Sequence, residues 1–182
     1  MLINLNDRHI YFDLMGPEDG PVVCFSHSLS SDSGMWAEQV PELLAAGYRV
    51  LRLDMRGHGG SDPVAGDYTM EALAGDVRAA LDALSIGKVH FIGLSIGGMI
   101  GQAFAIHHPG HVASLMLCDT MPATPDGAEN AWGPRLEAVR NANSVAPLAG
   151  STMERWFTDA FKPRDPKRWQ QIHACLLYTS PS

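Results

Sequence analysis

A serine that attacks carbonyl carbon must be held where its hydroxyl is exposed and a developing negative charge can be met. One stretch of this chain has that form. Phe91-Ile92-Gly93-Leu94-Ser95-Ile96-Gly97-Gly98-Met99-Ile100-Gly101 sets Gly93-x-Ser95-x-Gly97 directly after an apolar run and directly before a helical one. At a sharp strand-to-helix turn the serine is strained, and glycines two before and two after it let neighbouring backbone approach without Cβ clashes. Its hydroxyl then projects above a sheet, and the N-terminus of the next helix faces the charge that grows on the carbonyl oxygen. The five letters alone also occur as a plain small-residue turn; the placement between strand and helix selects the nucleophilic reading. A second loop, Phe25-Ser26-His27-Ser28-Leu29-Ser30-Ser31, follows the apolar run at 22–25 and alone reads as an ordinary connection. Beside Ser95 it supplies the other half of an oxyanion hole, whose donors are the backbone N–H groups of Leu29 and Ile96.

The elements needed to carry these groups are legible around them. Leu2-Ile3-Asn4-Leu5 and residues 9–14 flank Asn6-Asp7-Arg8 as an opening hairpin. Val22-Val23-Cys24-Phe25 is a short continuous apolar strand, the kind covered on both faces of a parallel sheet. Residues 36–46 form a helical candidate stopped by Gly47, and residues 48–54 the next strand. Thr69 caps a helix running through Leu84, with Leu73, Val77, Leu81 and Leu84 on one stripe. Residues 89–92 are a strand, 96–107 a helix ended before Pro109, and 112–118 another buried strand. From residue 21 onward strands and helices alternate, which predicts an α/β fold with a parallel sheet wrapped on both faces. After Thr120 a Pro/Gly/Ala-rich loop leads into helical segments at 135–141, 152–161 and 166–174, read as a helical lid.

Composition narrows the function. The chain has 182 residues, 46% hydrophobic and 18% charged, and a net charge of −7. An acidic chain without a Lys/Arg cluster is a poor partner for nucleic acid or an anionic membrane. No apolar run approaches the roughly 20 residues that span a bilayer, and no secretory signal opens the chain, so a cytoplasmic protein is expected. Cys24 and Cys118 sit in apolar runs without disulfide or zinc spacing and read as reduced packing residues. No phosphate loop, dinucleotide fingerprint, zinc spacing or haem motif is present, so no cofactor and no metal is expected. The expected partner is a small-molecule ester or lactone.

The elbow around Ser95, the His27-Ser28-Leu29 loop and Asp54-Met55-Arg56-Gly57-His58-Gly59-Gly60-Ser61 occur in the order found in the α/β-hydrolase superfamily, which this chain resembles. Within it the chain is most similar to 3-oxoadipate enol-lactonases. They share an elbow like residues 93–102, a Ser-Asn-Ser-Leu loop where this chain has Ser26-His27-Ser28-Leu29, and a cap start like Asp119-Thr120, Trp132, residues 135–140 and residues 154–158. His27 departs from the lactonase asparagine and looks like the superfamily's commoner His-Gly pattern. The resemblance implies an α/β-hydrolase fold, a mostly parallel sheet flanked by helices. Residues 1–121 form the N-terminal part of its core, residues 122–174 a partial helical cap, and the final strands are missing.

It also implies a serine hydrolase of small esters or lactones, with 3-oxoadipate enol-lactone of the β-ketoadipate pathway as the best single substrate. A general carboxylesterase, a perhydrolase-like relative, an acyltransferase and a non-catalytic ligand sensor are the alternatives. Ser95 would be the nucleophile, Trp132 would lie over the site, and Arg135 near an anionic substrate group; a hydrophobic anchor and a surface ion pair are the plainer readings of those two. The triad acid and histidine follow later strands, so neither is placed in this chain. The resemblance gives His58 structural hydrogen bonds, and Asp119 is either a strand-end turn residue or an acid. Finally, Cys175-Leu176-Leu177-Tyr178-Thr179-Ser180-Pro181-Ser182 resembles a translated sequencing adapter, so 175–182 are read as a non-native tail that packs against nothing.

Overall fold

Short apolar runs and helical stripes build a six-stranded sheet in the computed structural model, which describes residues 1–5 and 7–178. The strands are β1 (Leu2–Asn4), β2 (His9–Met15), β3 (Val22–Ser26), β4 (Arg49–Leu53), β5 (Val89–Leu94) and β6 (Val112–Cys118), in the order β1-β2-β4-β3-β5-β6. The opening hairpin pairs antiparallel and β2 joins β4 antiparallel, whereas β4, β3, β5 and β6 run parallel. Successive side chains of a strand point to opposite faces, so β3 sends Cys24 into one core and Val23 and Phe25 into another. The first core also holds Leu51, Phe91 and the α2 stripe; the second holds Val50, Trp36 and Val40.

Three helices cover the sheet: α1 (Val40–Ala45), α2 (Met70–Ala83) and α3 (Ile96–His107). The Thr69 hydroxyl caps α2 by accepting the Ala72 N–H at 3.1 Å, and Leu73, Val77 and Leu81 are buried. The helix expected over 36–46 is shorter: a single 3-10 turn spans Ser33–Trp36, and α1 starts only at Val40, with Pro41 in its first turn.

Strand β6 departs from expectation. Its apolar sequence reads as buried on both faces, yet Met116 is 57% and Leu117 44% exposed, and Cys118 is only partly covered. It is the last strand of the sheet order, and among the described residues nothing pairs with its outer edge. Hydrophobicity reports what a strand can tolerate, not whether a neighbour is present. Cys24, in contrast, is fully buried, and burial pushes its thiol up to about 12, which leaves it inert at neutral pH. None of Cys24, Cys118 and Cys175 forms a disulfide.

Residues Met1–Pro122 form one compact unit, and a second begins at Ala123. The second consists of α4 (Ala128–Ala142), α5 (Ala146–Trp156), α6 (Phe161–Arg164) and α7 (Pro166–Tyr178) around Ala149, Met153 and Leu176. α4 begins earlier than the segment expected at 135, because the helix takes Pro134 inside it instead of stopping there. The segment expected at 152–161 is divided: Phe157 is extended, with φ −127° and ψ 148°.

The expectation that residues 175–182 pack against nothing and lack regular structure does not hold for Leu176, nor for the backbone of residues 175–178. They continue α7, and Leu176 is 3% exposed. Trp169, Ile172 and Leu176 are spaced three and four apart, so they fall on one helical face that closes over Met153. Residues 179–182 lie outside the described residues. Among the described residues no helix is long and apolar enough to cross a membrane.

One buried ion cluster ties the first unit together. Asp76 on α2 accepts from Arg56 Nε at 2.6 Å and Arg56 Nη2 at 2.7 Å, and also from Arg8 of the opening hairpin. Asp76→Ala leaves the Arg56 guanidinium buried without a counter-charge, which costs about 3–5 kcal/mol. Urea denaturation is expected to show that loss; a change below 1 kcal/mol would mean that Arg56 finds water instead.

Candidate active site

Ser95 sits between β5 and α3 with φ 54° and ψ −118°, a conformation that L-residues avoid. Four hydrogen bonds hold it there. Its N–H donates to Cys118 O at the end of β6 (3.0 Å), and its carbonyl accepts from Gly98 N–H (2.9 Å), Met99 N–H (3.1 Å) and the Thr120 hydroxyl (2.6 Å). Strain of this kind persists only where the surroundings over-determine it. The glycines explain the tightness. A Cβ on Gly93 would collide with the Gly97 carbonyl, and one on Gly97 would press into Ser26 O and lie 2.8 Å from His27 O. Gly97 therefore lets the backbone after β3 lie directly on the first turn of α3. Strand register does the rest, since Ser26 pairs with Gly93. Among the described residues the Ser95 hydroxyl has no hydrogen-bond partner.

The loop after β3 closes as a turn in which Ser31 N–H donates to Ser28 O (3.2 Å). Ser30, its third residue, has φ 60° while Leu29 keeps negative φ, the pattern of a type II turn. Three backbone donors here are committed: Ser28 N–H to Met35 Sδ (3.3 Å), Ser30 N–H to His58 Nε2 (3.2 Å), and Ser31 N–H to Ser28 O. Leu29 N–H has no acceptor among the described residues, nor does Ile96 N–H, the first amide of α3. Free amides at a helix start carry the positive end of its dipole.

Behind that turn lies the loop at 54–61. Asp54, buried, accepts from Ser33 N–H (2.7 Å) and Gly60 N–H (2.9 Å), and burial raises its pKa against the pull of those amides. His27 is fully buried. Its Nε2 accepts Met55 N–H at 2.9 Å, so Nδ1 carries the proton and donates to Ser28 O at 2.8 Å. Burial first, and then the neighbouring His58, push its pKa down to about 3. His58 Nε2 is taken by Ser30 N–H, so its Nδ1–H donates to Arg56 O at 3.1 Å, and burial lowers its pKa as well. Neither ring has a lone pair left to take a proton from serine.

The remaining histidines are placed as follows. His9 pairs with Asp62 and His90 with Ser114. His107, His108 and His111 cluster at the far end of α3, roughly 18 Å of helix from Ser95. His173 lies on α7 in the second unit. Asp119 is exposed, with φ 40°, as a strand-end turn residue. Ser95, Leu29 and Ile96 are thus gathered in the first unit. Trp132 and Arg135 lie on α4 in the second, where the Arg135 guanidinium stacks 5.3 Å from the ring of a 41% exposed Trp132. Thr120 was not legible as a site residue, because its role comes from a contact between separate strands. Among the described residues no cluster of three or more potential metal ligands occurs.

The family described as alpha/beta hydrolase fold matches residues 21–163. The chain is 40% identical over 179 residues to 3-oxoadipate enol-lactonase 1 of Acinetobacter baylyi, covering 98% of this chain and 65% of that protein. The solved enol-lactonase from Burkholderia xenovorans LB400 superposes with a TM-score of 0.92 at 34% identity, covering 99% of this chain and 68% of that one. A thermophilic esterase from Thermogutta terrifontis gives 0.85 at 32% identity, covering 96% of this chain and 63% of that one. The chain thus spans just under two thirds of the length of the Acinetobacter relative. With the family match running from the turn before β3 into the second unit, this chain belongs to the family of the alpha/beta hydrolase fold.

Proposed function

We propose that this chain is the N-terminal part of a serine hydrolase that cleaves a small carboxylic ester or lactone. Ser95 attacks the carbonyl carbon, the Leu29 and Ile96 N–H groups hold the resulting oxyanion, and collapse breaks the bond to the leaving oxygen, which departs as an alcohol from an ester and stays tethered to the acyl group from a lactone, leaving an acyl-Ser95. A histidine from outside residues 1–182 takes the serine proton, passes it to the leaving oxygen, and then activates water to free the acid. The observation that carries this reading is the pairing of a strained Ser95 with a turn whose only uncommitted amide is that of Leu29. The likeness to enol-lactonases supports 3-oxoadipate enol-lactone as substrate, and Trp132 and Arg135 keep the substrate-binding assignment that this likeness implies.

The test uses a completed chain, in which the native coding sequence recovered from overlapping DNA reads extends this one. It is expected to hydrolyse both p-nitrophenyl acetate and the enol-lactone, with the higher kcat/KM on the lactone. Leu29→Pro deletes one amide hydrogen at a turn position that favours proline. It is expected to lower kcat by about 10²–10³-fold with KM little changed. An unchanged kcat in a folded Leu29→Pro variant would remove Leu29 from the oxyanion hole.

A further inference from the structure

The loop at 54–61 has no part in the chemistry above, yet it reaches the oxyanion turn at three successive points. Met55 N–H donates to His27 Nε2 (2.9 Å), His58 Nε2 accepts Ser30 N–H (3.2 Å), and Asp54 Oδ1 accepts Ser33 N–H (2.7 Å). The two imidazoles lie side by side, with ring centroids 5.3 Å apart. Arg56, between Met55 and His58, is fixed to α2 by both oxygens of Asp76. The loop is therefore anchored at its back and hydrogen-bonded at its front to the residues on either side of Leu29.

We propose that His27 and His58 are positioning residues that, as neutral rings, set where the Leu29 amide points and so help determine the rate of the serine reaction. This rests on the reading of Leu29 as an oxyanion donor. His58 acts on the residue after Leu29 by accepting its N–H; His27 acts on the residue before it by donating to the Ser28 carbonyl. Both tasks need an uncharged ring with one lone pair, because a protonated imidazole cannot accept Met55 N–H or Ser30 N–H. The environment maintains that state. Burial lowers both pKa values, and the acidic groups near His58, Asp54 and Asp32, do not offset it. A displaced donor is costly because an oxyanion hole depends on sub-ångström placement, and a shift of about 1 Å is worth on the order of 10²-fold in rate.

The experiment is a double-mutant cycle in the completed chain, read as kcat and KM on p-nitrophenyl acetate together with the melting temperature. His58→Leu removes the acceptor and is expected to lower kcat by roughly 10- to 100-fold with KM within about twofold. His58→Gln restores an acceptor without a titratable ring and is expected to recover most of that loss. The same His58→Leu change made on top of Leu29→Pro is expected to cost nothing further, since the donor it positions is gone. Should His58→Leu fail to fold, His58→Asn, too short to reach Ser30 N–H, takes its place with the same expected loss. A folded variant with wild-type kcat overturns the proposal, as does an equal loss in the Leu29→Pro background. If Leu29→Pro itself leaves kcat unchanged, it is the oxyanion reading that fails.

Discussion

Ser95→Ala in the completed chain is expected to abolish ester and lactone hydrolysis, a loss on the order of 10⁴–10⁶-fold in kcat. Ser95→Gly should lose the same activity while gaining stability. At φ 54° and ψ −118° every residue with a Cβ is strained, and alanine keeps that strain whereas glycine relieves it. The difference between the two variants is expected to be about 1–3 kcal/mol in favour of glycine, measurable by denaturant unfolding. Equal stability would mean that the conformation is not strained. Activity retained in either variant would mean that Ser95 is not the nucleophile and that the whole elbow assignment is lost. The paired result separates a residue kept for chemistry from one kept for the fold, because only the former is destabilising where it stands.

The elbow was legible in the sequence because its requirements are local. Two glycines at fixed offsets, an apolar strand before and a helix after are all within ten residues of Ser95. The Thr69 cap and the stripe of α2 were legible for the same reason. The exposed face of β6 was not, since the same Leu-Met-Leu run serves in a covered strand or an uncovered one, and only the sheet order tells them apart. Nor was the division between α5 and α6, where the chain extends at Phe157 without a proline or glycine to mark it. The roles of Thr120, His27 and His58 in holding Ser95 and the turn arise from contacts between segments roughly 25 to 30 residues apart. A histidine that accepts a backbone amide looks, in sequence, the same as one that takes a proton in catalysis.

That last ambiguity bears on the polypeptide of residues 1–182 made by itself, which is expected to show no Ser95-dependent turnover on p-nitrophenyl acetate. On the proposed reading it holds Ser95 and the Leu29 and Ile96 amides, but a serine hydroxyl at neutral pH needs a base within hydrogen-bond reach to act as nucleophile. His27 and His58 have both ring nitrogens committed to backbone groups, and His90 lies near the start of β5, roughly 16 Å of strand from Ser95. The histidines at the end of α3 are separated from Ser95 by the length of that helix. Missing a triad member, the chain should fall about 10⁴–10⁶-fold below the completed enzyme. It should also self-associate, because β6 presents unpaired backbone beside exposed Met116 and Leu117, a template for another strand. Light scattering on the purified chain measures this, and lysine at Met116 and Leu117 should reduce it without restoring activity. If the short chain instead hydrolyses the ester at a rate close to that of the completed enzyme, and Ser95→Ala removes that rate, the base lies within these residues. His9 and His173, which neither the turn contacts of the loop at 54–61 nor the ends of α3 and β5 account for, would then be the first substitutions to make.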